Sequence, residues 1–189
     1  HGYSRGQSRD HNHLWVNVAT AGGNIDYWGE YAQADYPEFT VSQDEWGFVM
    51  VEVQAGDDPS FHMKRISRGN ENEFRDNELR DEMHIRLHNG MPDTPVGIYP
   101  SGSGIDPDMI ILQTNSFQDP DGDELMAAHF RLYDNCDTAS TPTYEEFINR
   151  ENWYYYENTQ ESVELTSLAV SPLSGNAVYC WKVRYRDSS

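Results

Sequence analysis

Basic residues are scarce in this sequence. Its 189 residues hold 13 Lys and Arg against 32 Asp and Glu, a formal net charge of −19. Cations this few and this scattered form no patch that could neutralise a phosphate backbone, so nucleic-acid partners are set aside. Long apolar runs are missing as well: no stretch approaches the roughly 18 residues that cross a bilayer. Polar residues from His1 to His13 carry no leader pattern. Helical periodicity is rare, and there are only two cysteines, Cys136 and Cys180. Composition this polar verges on that of disordered chains, but 13% aromatic residues, with 5 Trp and 12 Tyr, supply the core material that such chains lack.

What is abundant is strand pattern. Apolar and polar residues alternate in short runs rich in Val, Ile, Tyr, Phe and Trp, separated by Gly, Pro, Asn and Asp. In the first half these runs are Leu14–Ala19, Ile25–Tyr31, Glu38–Val41, Gly47–Gln54, Ser60–Ile66 and Met83–His88. In the second half they are Val96–Tyr99, Met109–Asn115, Ala127–Tyr133, Trp153–Tyr156, Ser162–Leu168 and Val178–Tyr185. Six strands in ninety residues is the density of a β-sandwich. The segment Arg68–Glu82, charged or amide except for Phe74 and Leu79, is expected to form a long surface loop whose Arg68, Arg75 and Arg80 pair with neighbouring acids at the surface. The spacing of Tyr144, Phe147 and Ile148 predicts a short helix over Thr143–Arg150.

Asn89-Gly90-Met91-Pro92-Asp93-Thr94-Pro95 reads as a linker, because a Gly and two prolines cannot continue a ladder. Splitting the charges at Gly90 leaves 8 basic and 16 acidic residues before it and 5 and 16 after it, so the halves carry −8 and −11. Acidity is therefore a property of both halves. The sequence is read as all-β, two β-sandwich domains in tandem over residues 1–90 and 91–189.

The second half resembles a fibronectin type III domain. Leu173 stands six residues ahead of Tyr179, as in the tyrosine corner of such sandwiches, and Tyr179 would hydrogen-bond back to upstream backbone. The run Tyr179-Cys180-Trp181-Lys182-Val183-Arg184-Tyr185-Arg186 alternates with period two, turning Trp181 and Val183 inward and Lys182, Arg184 and Arg186 outward. The resemblance makes this strand F, with Ile110 and Leu112 on strand B, Phe130 and Leu132 on C, and Val163 and Leu165 on E. It also calls for a last strand, G, beside F, which these residues do not provide. A fragment of a longer protein, or completion of F by a strand from another subunit, follows. In this arrangement C neighbours F, which would bring Cys136 and Cys180 within reach of a disulfide and favour an oxidising, extracellular or cell-surface setting. Two separate buried thiols are the alternative.

Further candidates compete for a function. Asp119, Asp121, Asp123 and Glu124 place carboxylates as a Ca²⁺ loop would, against the plainer reading of a solvated acidic turn; the run is not an EF-hand, since Glu124 stands where that loop needs Gly. Tyr27, Trp28 and Tyr31 crowd a polar neighbourhood where sugars could stack, which implies a polysaccharide partner, or else fill the core of a small domain. His1-Gly2-Tyr3 resembles the start of lytic polysaccharide monooxygenases, which implies copper held by His1 and a second imidazole among His11, His13, His62, His84, His88 and His129. The Pro and Cys expected soon after Tyr3 in the bacterial members are absent. The leading expectation is a non-catalytic structural, adhesion or assembly module that meets other domains or subunits of a secreted or surface assembly. A filament subunit completed by strand donation is one of its rivals.

Overall fold

A computed structural model describes the chain except at residues 1, 9–12, 19–20, 29, 31–37, 154–157, 171 and 189, with backbone alone for 151–153 and 158–162. Its strands, in chain order, are β1 (Tyr3–Gln7), β2 (Leu14–Asn17), β3 (Phe39–Gln43), β4 (Trp46–Gln54), β5 (Ser60–Gly69), β6 (Phe74–Arg86), β7 (Gly97–Tyr99), β8 (Ile110–Thr114), β9 (Ala127–Asp134), β10 (Tyr144–Asn149), β11 (Glu151–Trp153), β12 (Asn158–Ser162), β13 (Ser167–Val170) and β14 (Tyr179–Arg186). Among the described residues there is no α-helix, so no helix long and apolar enough to cross a membrane. The fold is all-β.

The strands gather into two compact units. Unit 1 comprises residues 1–89, 149–163 and 188–189, and unit 2 comprises 90–148 and 164–187. A boundary thus falls at Asn89/Gly90, within the linker read from the sequence, but residues 149–163 group with unit 1 rather than with the second half. A side-chain bond ties that segment in, Asn149 Nδ2 donating to the Phe39 carbonyl at 2.9 Å, and Val163 N–H closes it on itself by donating to the Arg150 carbonyl at 2.7 Å.

Unit 1 contains the sheets β2-β1-β3, β4-β5-β6 and β11-β12. The segment expected as a surface loop is instead the end of β5 and most of β6, paired with each other from Gly69↔Phe74 to Ser60↔Arg86. Charge misled the reading because this core is itself polar. Arg5 and Arg65 are 2% and 0% exposed, beside Tyr3, Met63 and Met83. Arg5 forks onto Asp81 with two bonds of 2.7 Å, and the Tyr3 hydroxyl donates to the same carboxylate at 2.6 Å. The Arg65 guanidinium lies 4.9 Å from the Tyr3 ring centre and donates to the Glu45 carbonyl at 2.8 Å. Arg75 makes the surface pairs expected of it, with Glu73 at 2.9 Å and Glu78 at 2.7 Å, and Arg75 and Arg80 also reach the buried Glu45 carboxylate, at 3.0 and 3.5 Å. Gly47 sits beside this cluster, where a Cβ would lie 2.1 Å from the Ile66 carbonyl and 2.4 Å from an Arg65 nitrogen. No larger residue fits there unless backbone moves. Ile25–Tyr31 is not a strand over its described part; Ile25 is buried from a loop.

Unit 2 packs β13-β8-β7 against β10-β9-β14. Alternation does the sorting: Ile110, Leu112, Phe130 and Leu132 are buried, with Met126, Ala128 and Leu165. The helix expected over Thr143–Arg150 is strand β10. Edge-pairing to β9 wins over helical spacing here, and Thr143 N–H donates to the Leu132 carbonyl at 2.8 Å. The strand placed at Ser162–Leu168 begins later, at Ser167, and pairs with β8 from Ser167↔Gln113 to Val170↔Ile110. Leu165 still reaches the core, from the loop before it. The Tyr179 hydroxyl accepts the Ser174 N–H at 3.2 Å, the upstream bond expected of it.

Candidate functional site

β14 is the outer strand of its sheet, and among the described residues it has a ladder partner on one side only, β9. Its period-two pattern sets up two different faces. Trp181 lies inward, stacked on Phe130 with ring centres 6.3 Å apart, and the Tyr185 hydroxyl bonds that of Thr114. Lys182 and Arg184 point outward and are exposed. The antiparallel register places Lys182 opposite Arg131 and Arg184 opposite His129. Lys182 and Arg131 are like charges directly across the ladder, which repel, and stability alone gives no reason to align them.

One carboxylate answers this cluster from the other side. Glu145 on β10 accepts from Arg131 Nε at 2.8 Å and meets His129 Nε2 at 2.6 Å. Lys182 Nζ lies 5.8 Å from the Tyr133 ring centre, a loose cation–π contact. The cations are concentrated: unit 2 contains four Lys or Arg, namely Arg131, Lys182, Arg184 and Arg186, and all four lie on β9 or β14. An open groove of about 530 Å³ runs beside β14, lined by Pro95, Gly97, Lys182, Val183 and Arg184. His129, Arg131 and Tyr133 continue its wall. At Gly97 a Cβ would come within 2.7 Å of the Trp181 indole, so glycine lets that ring lie against β7.

Compared with protein families, curated proteins and solved structures, the chain matches none. What the site can do has to be argued from its own geometry.

Electrostatics give the groove a pH signature. Burial holds the His129 imidazole below its ordinary value; the Glu145 carboxylate pulls it up, while the Arg131 and Arg184 cations push it further down. Glu145 is held below the usual carboxylate range by its bonds from Arg131 and His129. The unfolded chain therefore binds more protons at His129 than the folded chain between the depressed folded value and about 6.5, and stability falls as pH drops through that window. The Glu145 contribution survives to lower pH and is lost as pH falls through its own folded value, below about 4.5. The urea midpoint of unit 2 is expected to decline on acidification below about pH 6.5, and His129→Gln should flatten that limb. A wild-type midpoint that is level from neutrality down to the carboxylate range would refute this assignment.

The other sequence candidates find these places. Cys136 and Cys180 form a disulfide, with Cα atoms 4.7 Å apart. Asp119, Asp121 and Asp123 bring ligand atoms within 4.8 Å of one another, the described group that could hold a metal ion; Glu124 is outside it. Those carboxylates also hold the turn. Asp119 Oδ1 accepts the amides of Asp121 and Asp123 at 2.8 and 3.1 Å, and Asp121 Oδ2 accepts that of Gly90 at 2.6 Å. Tyr27 is exposed, Trp28 stands edge-on to Phe39 at 5.0 Å and 80°, and Tyr31 lies outside the described residues. Trp15 also meets Phe39 edge-on, at 83°. His1 and His11 are likewise outside the described residues. His62 faces His84 across β5 and β6, with Glu82 at 2.5 Å.

The groove itself escaped the sequence reading. Lys182 and Arg184 were expected to point outward, but His129 and Arg131 lie about fifty residues earlier, and only the β9–β14 register brings the two pairs together. The signal that could have found them is that four of the five second-half cations, all but Arg150, lie in two alternating runs.

Proposed function

We propose that this chain is a non-catalytic assembly module of a secreted or surface protein, its second unit a fibronectin type III-like sandwich that acts through the open edge of β14. The observation that carries this reading is that edge: exposed cations and a groove stand beside backbone that no described strand covers. Strand addition uses such edges, with main-chain bonds giving affinity and side chains giving selection. Support for the family likeness comes from the strand order β13-β8-β7 against β10-β9-β14 and from the Tyr179–Ser174 bond. The disulfide supports an oxidising compartment.

Sedimentation velocity of the oxidised protein, run from low micromolar to near-millimolar concentration at low salt, tests the assembly role. Species larger than the monomer should grow with concentration and shrink as salt rises, since the Debye length contracts from about 10 Å at 0.1 M to about 3 Å at 1 M. A monomer under every condition would remove the proposal.

A further inference from the structure

Among the described residues, unit 1 has an open edge of its own. β4 is the outer strand of β4-β5-β6, and one core row crosses that sheet through Met83, Met63 and Val51. Along it, exposure rises from 1% at Met83 and Met63 to 49% at Val51. Two residues on, Val53 lies on the same face, opposite Phe61, and is 74% exposed. These side chains point the way the core points but end in water, as at an edge whose neighbour is missing. Isolated edges are normally blunted by Lys, Pro or a bulge. From Phe48 to Gln54, β4 has no Lys or Pro and pairs without a register break.

The outer face of β4 carries the opposite charge to that of β14. Between Phe48 and Gln54 its one charged residue is Glu52, 65% exposed at the side chain, and the turn that follows adds exposed Asp57 and Asp58. The lengths agree too, at nine residues for β4 and eight for β14.

We propose that the β4 edge of one copy of this chain pairs with the β14 edge of another copy, a head-to-tail contact that leaves each copy with one edge open for the next. This rests on the assembly reading above and names its partner. Joined in this way, Val51 and Val53 extend the apolar row of Trp181 and Val183, while Glu52 comes beside Lys182 and Arg184. Charge selects this pairing over its rivals. Two β14 edges would set Lys182 and Arg184 against themselves, and two β4 edges would do the same with Glu52. Head-to-tail contacts close into a ring only if the rotation allows it and otherwise propagate as a filament.

Two capped variants test the pairing. Lys182→Glu with Arg184→Glu closes the β14 edge to an acidic strand, and Val53→Lys closes the β4 edge; all three positions are exposed. Each variant alone should remain monomeric where the wild type assembles. A 1:1 mixture should form a dimer that does not grow, because one variant keeps β4 and the other keeps β14. If either variant assembles like the wild type, or the mixture stays monomeric, the pairing is wrong while the assembly reading stands; a wild type that never assembles removes both. Hydrogen exchange on the wild type gives an independent readout should a variant misfold. Residues 48–54 and 181–185 should gain protection together as concentration rises. Unchanged exchange in both segments overturns the pairing, and protection of β14 without β4 would place a different acidic strand in the groove and overturn it as well.

Discussion

Replacing Asp81 by asparagine is expected to cost unit 1 about 3–5 kcal/mol, the usual penalty for leaving one member of a buried ion pair without its partner. Asp81 answers two groups at once. Its side chain is 7% exposed and that of Arg5 is 2%, so neither charge can turn to water for compensation. Arg5 donates from Nε and Nη2 to the two carboxylate oxygens, and the Tyr3 hydroxyl donates to one of them. Burial pushes the Tyr3 phenol far above its ordinary value and the Asp81 charge adds to the rise, so the phenol remains a donor throughout the working range. Asparagine removes the charge and turns one acceptor into a donor facing a guanidinium. Urea denaturation should show a midpoint moved down with the slope retained. A loss below about 1 kcal/mol would mean that Arg5 finds other partners. Replacing the pair together, Arg5→Met with Asp81→Leu, should recover much of the loss, because an apolar pair of similar volume removes the need for compensation.

The second large effect belongs to unit 2. Opening the Cys136–Cys180 bond, by reductant or by Cys136→Ser with Cys180→Ser, should cost about 4 kcal/mol through the entropy returned to the unfolded chain. That figure follows from the loop the bond closes, whose ends are 44 positions apart. The resolved indole NMR signal of Trp181 serves as reporter, since Trp181 is the one tryptophan of unit 2 and stacks on Phe130 in its core. Reduction should shift the transition reported by Trp181 more than the Asp81-dependent transition of unit 1, which the loop touches only through residues 149–163. A Trp181 transition insensitive to reductant would show that the bond adds nothing to this sandwich.

These two sites also show where sequence reasoning succeeds and where it stops. Alternation located β4, β5, β8, β9 and β14 to within a residue or three, because each sets apolar residues at period two, although on β4 that row ends exposed. The phase of Cys180 against Trp181 was legible for the same reason, and with the family likeness it brought the cysteine pair together. β6 was not legible. Its inward positions include Asp81, and its neighbour β5 turns Arg65 inward, so a reading that equates charge with solvent assigns the strand to a loop. β10 failed differently: Tyr144, Phe147 and Ile148 satisfy a helical spacing by chance, and the ladder with β9, entered by the bond from Thr143 to Leu132, decides for a strand. The cationic groove was hidden by the total charge. A net charge of −19 says nothing about four cations gathered on two strands.

The excursion of residues 149–163 into unit 1 has a consequence for biosynthesis. A domain built from one continuous stretch can finish folding as soon as it clears the ribosome. Unit 1 cannot, since its last long segment is translated after β7 to β10 of the other unit. Until Val163 emerges, β1 to β6 must wait on the nascent chain without β11 and β12, so unit 1 reaches completion only after most of unit 2 has been made.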